Sequence, residues 1–404
     1  MSRPLDGLKV LDFSHVLAGP FATRVLGDLG ADVVKVNSES RAVTSNSAEH
    51  PYYIMWNRNK RALSLNMADA EGKKICGELA RQADVVIDNF SVGVLDRWGV
   101  GYDEVSADNS GVIYAQMSGM GEGGPWSDFV TYAPTIHALS GLTSLTGVPG
   151  REDIGLGFSY NDHASGLHGA VAVLAALAAR SQTGKGQRIE VSQFEVGVNF
   201  AGPSLLDFFA NDQKAEAMGN DLPYDAVAPH NVYPCRTVAE PTTVQERWIA
   251  IACMTDEQWR KLVVLMDNPE WAVQSNYNTA AGRVADKAII DARIAEWTKS
   301  QDEYELMARC QQAGVPAGVV QDGRDLCQRD PQLSEGGFQV KIPDPHPVVG
   351  QTWADRLPLR FSKTPVDDYQ RVRMLGEDNE AILADWLNMP AEEVRIKQDQ
   401  GTLK

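Results

Sequence analysis

Residues 8–36, LKVLDFSHVLAGPFATRVLGDLGADVVKV, decide how the rest of the chain is read. LKVLDFS has the length and apolar content of a short buried strand. HVLAGP supplies a turn. FATRVLGDLG then spaces its apolar residues as a helix does, with Pro20 near the start and Gly30 at the close. ADVVKV is a second strand. A strand, a helix and a strand in one stretch form a βαβ unit, whose two strands run parallel.

The same rhythm continues outward. ALSLN (62–66) reads as a strand, AEGKKICGELARQA (70–83) as a helix, and DVVIDNF (84–90) and GVIYAQMSG (111–119) as further strands. Alternation of this kind predicts an α/β fold with a doubly wound, Rossmann-like parallel sheet. Ligands of such sheets bind beyond the carboxyl ends of the strands. That singles out the loops His15–Gly19, Asn89–Phe90 and Ser118–Pro125. GMGEGGP (119–125) imitates a dinucleotide fingerprint, but the spacing is wrong, it does not follow the first strand, and Pro125 interrupts the helix such a motif opens. A nicotinamide site is not expected there.

Residues 201–225 break the rhythm and read as a linker. It divides a large domain over 1–200 from a smaller α/β domain over 226–324, with 325–404 returning to the large domain and ending in a helix. In the smaller domain RWIAIACM (247–254) is a strand, Thr255 caps the next helix, and Gly314 closes a later one.

The chain has 404 residues, 43% hydrophobic and 23% charged, with a net charge of −17. That excess of carboxylates disfavours nucleic acid or an anionic membrane as partner. A polyanionic ligand would need a local cluster of donors. Five scattered cysteines, Cys76, Cys235, Cys253, Cys310 and Cys327, show no metal-ligand or disulfide spacing. With an opening segment that lacks signal-peptide character, they set the expectation of a cytoplasmic protein without a metal. The longest apolar run, 169–179, is shorter than a bilayer span.

FSYNDHASGLHG (158–169) carries the one carboxylate that stands out. Asp162 lies between a glycine-rich run (154–160) and GLHGAVAVLAALAA (166–179), a helix apolar on every face and so expected to be buried. At the mouth of that helix, free N–H groups and the helix dipole favour an ionised side chain. Such a carboxylate either caps the helix or acts as a nucleophile, and the spacing leaves both open. Gly155, Gly157, Ser165 and Gly166 would let backbone N–H groups approach a developing oxyanion.

Taken together, a series of phrases resembles one family. They are LDGLKVLDFSHVLAGPFATRVLGDLGADVVKV, NRNKRALSLNM, DNFSVGVLDRWG, MSGMGEGGP, YAPTIHALSG, NDHASGLHG, TGKGQRIEVSQFE, AGVPAGVV, DPQL, HPVVG, SKTP and LGEDN, in order from about residue 5 to 390. They are similar to those of the class III coenzyme A transferases, the CaiB/BaiF family. The resemblance implies a large Rossmann-like domain built from both chain ends, a smaller domain between them, and an interlocked dimer. It implies transfer of coenzyme A from an acyl-CoA to a free carboxylic acid, with Asp162 as nucleophile and coenzyme A as substrate rather than a tightly bound cofactor. By motif, the coenzyme A contacts are His15, Val16, Leu17, Ala18, Asn89, Phe90, Arg97, Trp98 and Tyr132. Phe90 and Trp98 would cover the adenine and Arg97 would meet a phosphate, unless it pairs with Asp96 or Asp103 instead. His15 is equally readable as a turn residue, and Lys60 and Arg61 as structural.

A racemase branch of the same fold pairs its Asp with a His. Here that place holds Tyr132, and His137, five residues on, would be rotated away on a helix. The resemblance therefore favours a transferase, with a 2-methylacyl-CoA racemase or a non-catalytic partner subunit as alternatives. The chain departs from the formyl-CoA:oxalate branch. Asn37 and Ser38 replace a cation, leaving Arg41 as the nearest one. Leu17 replaces a Gln, Ala133 a Glu, and DAVAPHNVYPC (225–235) a run of glycines. These changes point to a larger, less polar acid: an aryl- or alkyl-substituted succinate with succinyl-CoA as donor, as in the benzylsuccinate transferase branch, where two related subunits pair.

Overall fold

The opening stretch forms β1 (Lys9–Asp12), α1 (Ala18–Asp28) and β2 (Asp32–Asn37) in the computed structural model, which describes residues 3–222, 227–239 and 244–404. The end of the expected linker (223–225) and Asp225 and Ala226 of the DAVAPHNVYPC run fall outside the described residues. Next come α2 (Pro51–Trp56), β3 (Lys60–Ser64), α3 (Ala70–Gln82), β4 (Val85–Asp88), the short α4 (Val94–Arg97) and α5 (Tyr102–Asp108), and β5 (Ile113–Gln116). Asp69 caps α3 by accepting from the Glu71 N–H, which explains where that helix starts. Then follow α6 (Ala133–Leu139), α7 (Leu142–Leu145), α8 (Tyr160–Thr183), β6 (Gln187–Glu190), α9 (Gln193–Phe200) and α10 (Gly202–Asn211).

The six strands form one sheet in the order β3-β2-β1-β4-β5-β6, and every pairing is parallel. This is the doubly wound α/β sheet. β6 was not among the strands read from the sequence. Its residues, QRIE, are polar and largely exposed because it is an edge strand. One face of the sheet buries Ile75 and Leu79 of α3 with Ile382, Leu383 and Trp386 of a late helix, Asn379–Leu387. The other buries Ala22, Val25 and Leu26 of α1 with Ala170, Val173 and Ala176 of α8. The strand order reverses between β1 and β4, so the loops after them part and leave a crevice.

The chain divides into two compact units. The first comprises residues 1–143, 155–214 and 331–404, and the second 144–154 and 215–330. In the second, strands Trp248–Ala252, His230–Pro234 and Ala317–Val319 make an antiparallel sheet. Helices Asp256–Leu265, Lys287–Thr298 and Glu303–Ala313 bury Trp259, Leu262, Ile290, Ile294 and Leu306 in that unit's core. Thr255 caps the first of them in a reciprocal box with Gln258.

α8 departs from the expectation of full burial. Asn161, Ser165, Gly166, Gly169, Ala170, Val173 and Ala176 are buried, but Leu167 is 50% and Val171 65% exposed. The helix packs one side on α1, and among the described residues nothing covers Leu167 and Val171 on the other. The helix is 24 residues long and its most apolar 18-residue window has a mean hydropathy of 1.2, so it also reaches the length and composition of a membrane span, which the run at 169–179 understates. The small residues on its packed side explain the apolar character instead. A Cβ at Gly166 would stand 2.8 Å from the Ala18 carbonyl oxygen and 2.9 Å from Phe21, and one at Gly169 would stand 2.7 Å from the Met117 sulfur. Glycine at 166 is required for α8 to approach α1, while Gly169 leaves room for the Met117 side chain that follows β5. Gly166 thus serves helix packing.

Candidate active site at the reversal of the sheet

The site begins at the end of β1, where Asp12 is fully buried. Its carboxylate accepts from the Ser14 N–H at 2.8 Å and the Thr23 hydroxyl at 2.6 Å, and it faces Lys60 Nζ at 3.1 Å and Lys35 Nζ at 3.4 Å. Burial works against its charge, but the two ammonium groups and the hydroxyls hold the carboxyl well below the usual range. Burial pushes Lys60 down to about 7 against the pull of Asp12. Lys35 also donates to the Ser14 carbonyl, while Lys60 donates to the Pro20 carbonyl at 3.0 Å and to Asn57 Oδ1 at 2.9 Å. The cluster therefore pins both flanks of the loop between β1 and α1. Lys60 has a structural role here. Arg61 lies elsewhere, paired with Asp32 and Asp385.

Within the pinned loop, Val16 takes a left-handed φ of 65°, which costs a β-branched residue about 1–3 kcal/mol. The loop after β4 grips it: the His15 N–H donates to Asn89 Oδ1 and Asn89 Nδ2 donates to the His15 carbonyl, both at 2.7 Å. Burial, with Lys35 and Arg41 nearby, pushes His15 down to about 3, so its ring is neutral. That ring lies 5.2 Å from Phe90.

A cavity of about 460 Å³ opens beside these loops. His15, Val16, Asn89, Phe90, Tyr132 and Asp162 all line it, together with Ser118, Ser127, Phe129, Thr131, Ile136 and Gln193. Leu17 does not. It is 1% exposed and belongs to the core, because the chain has already turned into α1. Ala18 contributes its backbone. Arg97 is exposed on α4 and does not line the cavity. Trp98 packs edge-on against Phe90 and Phe13 in an adjoining pocket that also holds His15, Asn37 and Ser38. Arg41 covers this pair, its guanidinium 4.9 Å from the Phe90 ring and 5.1 Å from that of Trp98. The cation that the sequence places only at a distance thus sits on the aromatic pair.

Asp162 is the third residue of α8, half-buried, and its own N–H and that of Ala18 lie close enough to its carboxylate to favour the charged form. Burial outweighs those donors and pushes the carboxyl up to about 6. The ionisation expected from the helix dipole is therefore weakened by lost hydration, though the group is still mostly charged at pH 7. Gly155 and Gly157 face open space.

Of two neighbours of Asp162, Tyr52 escaped sequence reasoning and His137 was read only as a residue rotated away from Tyr132. The Tyr52 hydroxyl of α2 bonds to Ser159, and burial together with the Asp162 charge raises its pKa despite that bond. Nothing in the local pattern of PYYIMW (51–56) marks one tyrosine. His137 lies buried in α6, and its Nε2 accepts the Asn161 N–H at 3.2 Å. It is absent from the cavity wall.

Comparison with known proteins follows the same lines. A family model described as CoA-transferase family III matches residues 5–379. Formyl-CoA:oxalate CoA-transferase of Streptomyces avermitilis is 29% identical, with both chains covered in full. Succinyl-CoA--D-citramalate CoA-transferase of Chloroflexus aurantiacus is 28% identical over 98% of this chain and 97% of its own. The crystal structure of a CAIB/BAIF family protein from Brucella suis superposes with a TM-score of 0.84 at 31% identity, over 96% of this chain and all of that one.

Proposed function

This chain belongs to CoA-transferase family III, an enzyme family that transfers coenzyme A, and on that premise we propose that Asp162 is its acyl-accepting nucleophile. The observation that carries the reading is the position of Asp162. A half-buried carboxylate with the Ala18 N–H nearby stands in the wall of the cavity where the sheet reverses.

The steps balance without proton transfer. A carboxylate oxygen of Asp162 attacks the thioester carbonyl, and the coenzyme A thiolate leaves, giving a mixed anhydride. The thiolate attacks the aspartyl carbonyl carbon, expels the donor acid as carboxylate, and leaves an aspartyl-CoA thioester. The acceptor carboxylate attacks that thioester, forming the second anhydride and freeing the thiolate once more. Attack of the thiolate on the acceptor's carbonyl gives the new acyl-CoA and restores Asp162. The Ala18 N–H, already near the aspartyl carboxylate, stabilises the oxyanion formed there. A carboxyl pushed up to about 6 is a stronger nucleophile than an exposed aspartate and is still ionised at pH 7. Exclusion of water matters, because both anhydride and thioester hydrolyse.

For substrates we propose succinyl-CoA as donor and a substituted succinate as acceptor. The cavity is larger than formate or oxalate requires, and Met120, Phe129, Val130 and Ile136 give it apolar walls. Relatives from Chloroflexus carry succinyl-CoA in their names, paired with D-citramalate or L-malate. The racemase alternative needs a second acid/base in the cavity opposite Asp162. His137 does not supply it, since it lies behind the nucleophile's turn.

The test is covalent capture. Incubation with succinyl-CoA and hydroxylamine should convert Asp162 to its hydroxamate, seen by mass spectrometry. The acid limb of kcat should fall with an apparent pKa near 6 as Asp162 protonates. An unmodified Asp162 under turnover would remove the mechanism.

The uncovered side of α8 and the exposed apolar residues of α10, Leu206 at 71% and Phe209 at 81%, support a second chain as partner, identical or related. One Chloroflexus relative is named an alpha subunit. Light scattering of the purified chain should give twice 44.1 kDa if it pairs with itself. A monomer that dimerises only with a second gene product would assign the heteromeric form.

A further inference from the structure

We propose that His137 is a positioning residue that caps helix α8 from outside and holds the nucleophile's turn in register; the proposal rests on Asp162 being the nucleophile. The first N–H groups of a helix have no partner within it and are ordinarily met by the N-cap side chain. Ser159 occupies that N-cap position, yet its side chain makes no capping bond. The N–H of Asn161, the residue before Asp162, is instead received by His137 Nε2 at 3.2 Å. Both residues are buried, with His137 3% and Asn161 0% exposed. In so dry a position a lost acceptor leaves the N–H unsatisfied.

The acceptor works in one protonation state. Nε2 offers a lone pair only in the neutral tautomer carrying its proton on Nδ1. Burial favours that state by lowering the pKa of His137. The bond also has a second leg. Asn161 Nδ2 donates to the Gln193 carbonyl at 3.1 Å, and Gln193 Nε2 donates to the Met117 carbonyl at 3.2 Å at the end of β5. The turn bearing Asp162 is thus tied to α6 through its backbone and to α9 through the preceding side chain. α6 in turn carries Tyr132 as its N-cap, and Tyr132 and Ile136 line the cavity. One short helix therefore shapes the acyl wall with its first turn and fixes the attacking carboxylate with its last.

The experiment compares His137→Leu, which removes the acceptor, with His137→Gln, whose amide oxygen reaches about as far as Nε2. The expected result is a kcat for His137→Leu lowered at least tenfold with the KM for acyl-CoA within twofold of wild type. His137→Gln should recover kcat to within threefold. Slower capture of Asp162 by hydroxylamine should accompany the loss. Thermal melts monitor folding, and should His137→Leu fail to fold, His137→Asn takes its place as a side chain too short to reach. Wild-type kcat in the acceptor-free variant, or a glutamine variant no better than it, would overturn the proposal. Asp162→Asn measured in parallel separates the two readings: if it remains active, the nucleophile assignment is what fails.

Discussion

Asp162→Asn is expected to abolish coenzyme A transfer, by about 10³-fold or more, while making the protein more stable. The loss follows from chemistry, since an amide cannot form the anhydride. The gain follows from burial. The carboxyl has an ordinary pKa of 3.8 and is pushed up to about 6 in the fold. With the folded value the higher one, the stabilising contribution of the protonated form is complete below pH 3.8 and disappears as the pH rises through 6. At pH 7 the ionised group therefore leaves the fold roughly 2–3 kcal/mol less stable than a neutral one would, a figure that residual solvent contact reduces. Asparagine removes that charge and keeps an acceptor for the Ala18 N–H. Melting curves at pH 7 should rise by a few degrees, and the difference between the proteins should narrow toward pH 4. An inactive variant that melts lower at pH 7 would contradict this account of the site's electrostatics.

The second large effect is expected at Asp12, which is remote from the reacting atoms. Asp12→Ala leaves Lys35 and Lys60 buried without their shared counter-charge, and breaking a buried ion pair from one side costs about 3–5 kcal/mol. Urea denaturation measures it. Asp12→Asn, which still accepts from Ser14 and Thr23, should lose less. Where Asp12→Ala folds, the loop carrying His15 and Val16 loses its anchor, so the KM for acyl-CoA should rise more than kcat falls. A loss below about 1 kcal/mol would show that the two lysines escape the penalty, by giving up a proton, as Lys60 at about 7 readily does, or by reaching water.

Both variants bear on what was legible in advance. The first five strands, helices α1 and α3 and the loops His15–Gly19 and Asn89–Phe90 follow from local patterns, because apolar periodicity and turn residues are short-range signals, whereas the short α2, α4 and α5 carry too few residues to show one. Asp162 was legible as a carboxylate opening a small-residue helix. Its charge state was not, because the helix terminus is written locally while desolvation depends on what packs around it. β6 was missed since an exposed edge strand needs no apolar alternation. Leu17 read as a cavity residue, but one further turn of backbone carries it into the core. Arg41, Tyr52 and His137 each act on a partner far along the chain, Phe90, Ser159 and Asn161 respectively, and no spacing rule reaches that distance.

The glycine that lets α8 press on α1 has a kinetic corollary. With Gly166 against the Ala18 carbonyl and the Asp162 carboxylate near the Ala18 N–H, the turn that carries the aspartyl carbon packs directly on the start of α1. It has no slack to follow a departing sulfur. The commuting then falls to the thiolate, which must swing from one carbonyl to the next on its own tether, so a donor thioester with a clipped or stiffened arm should acylate this enzyme once and go no further.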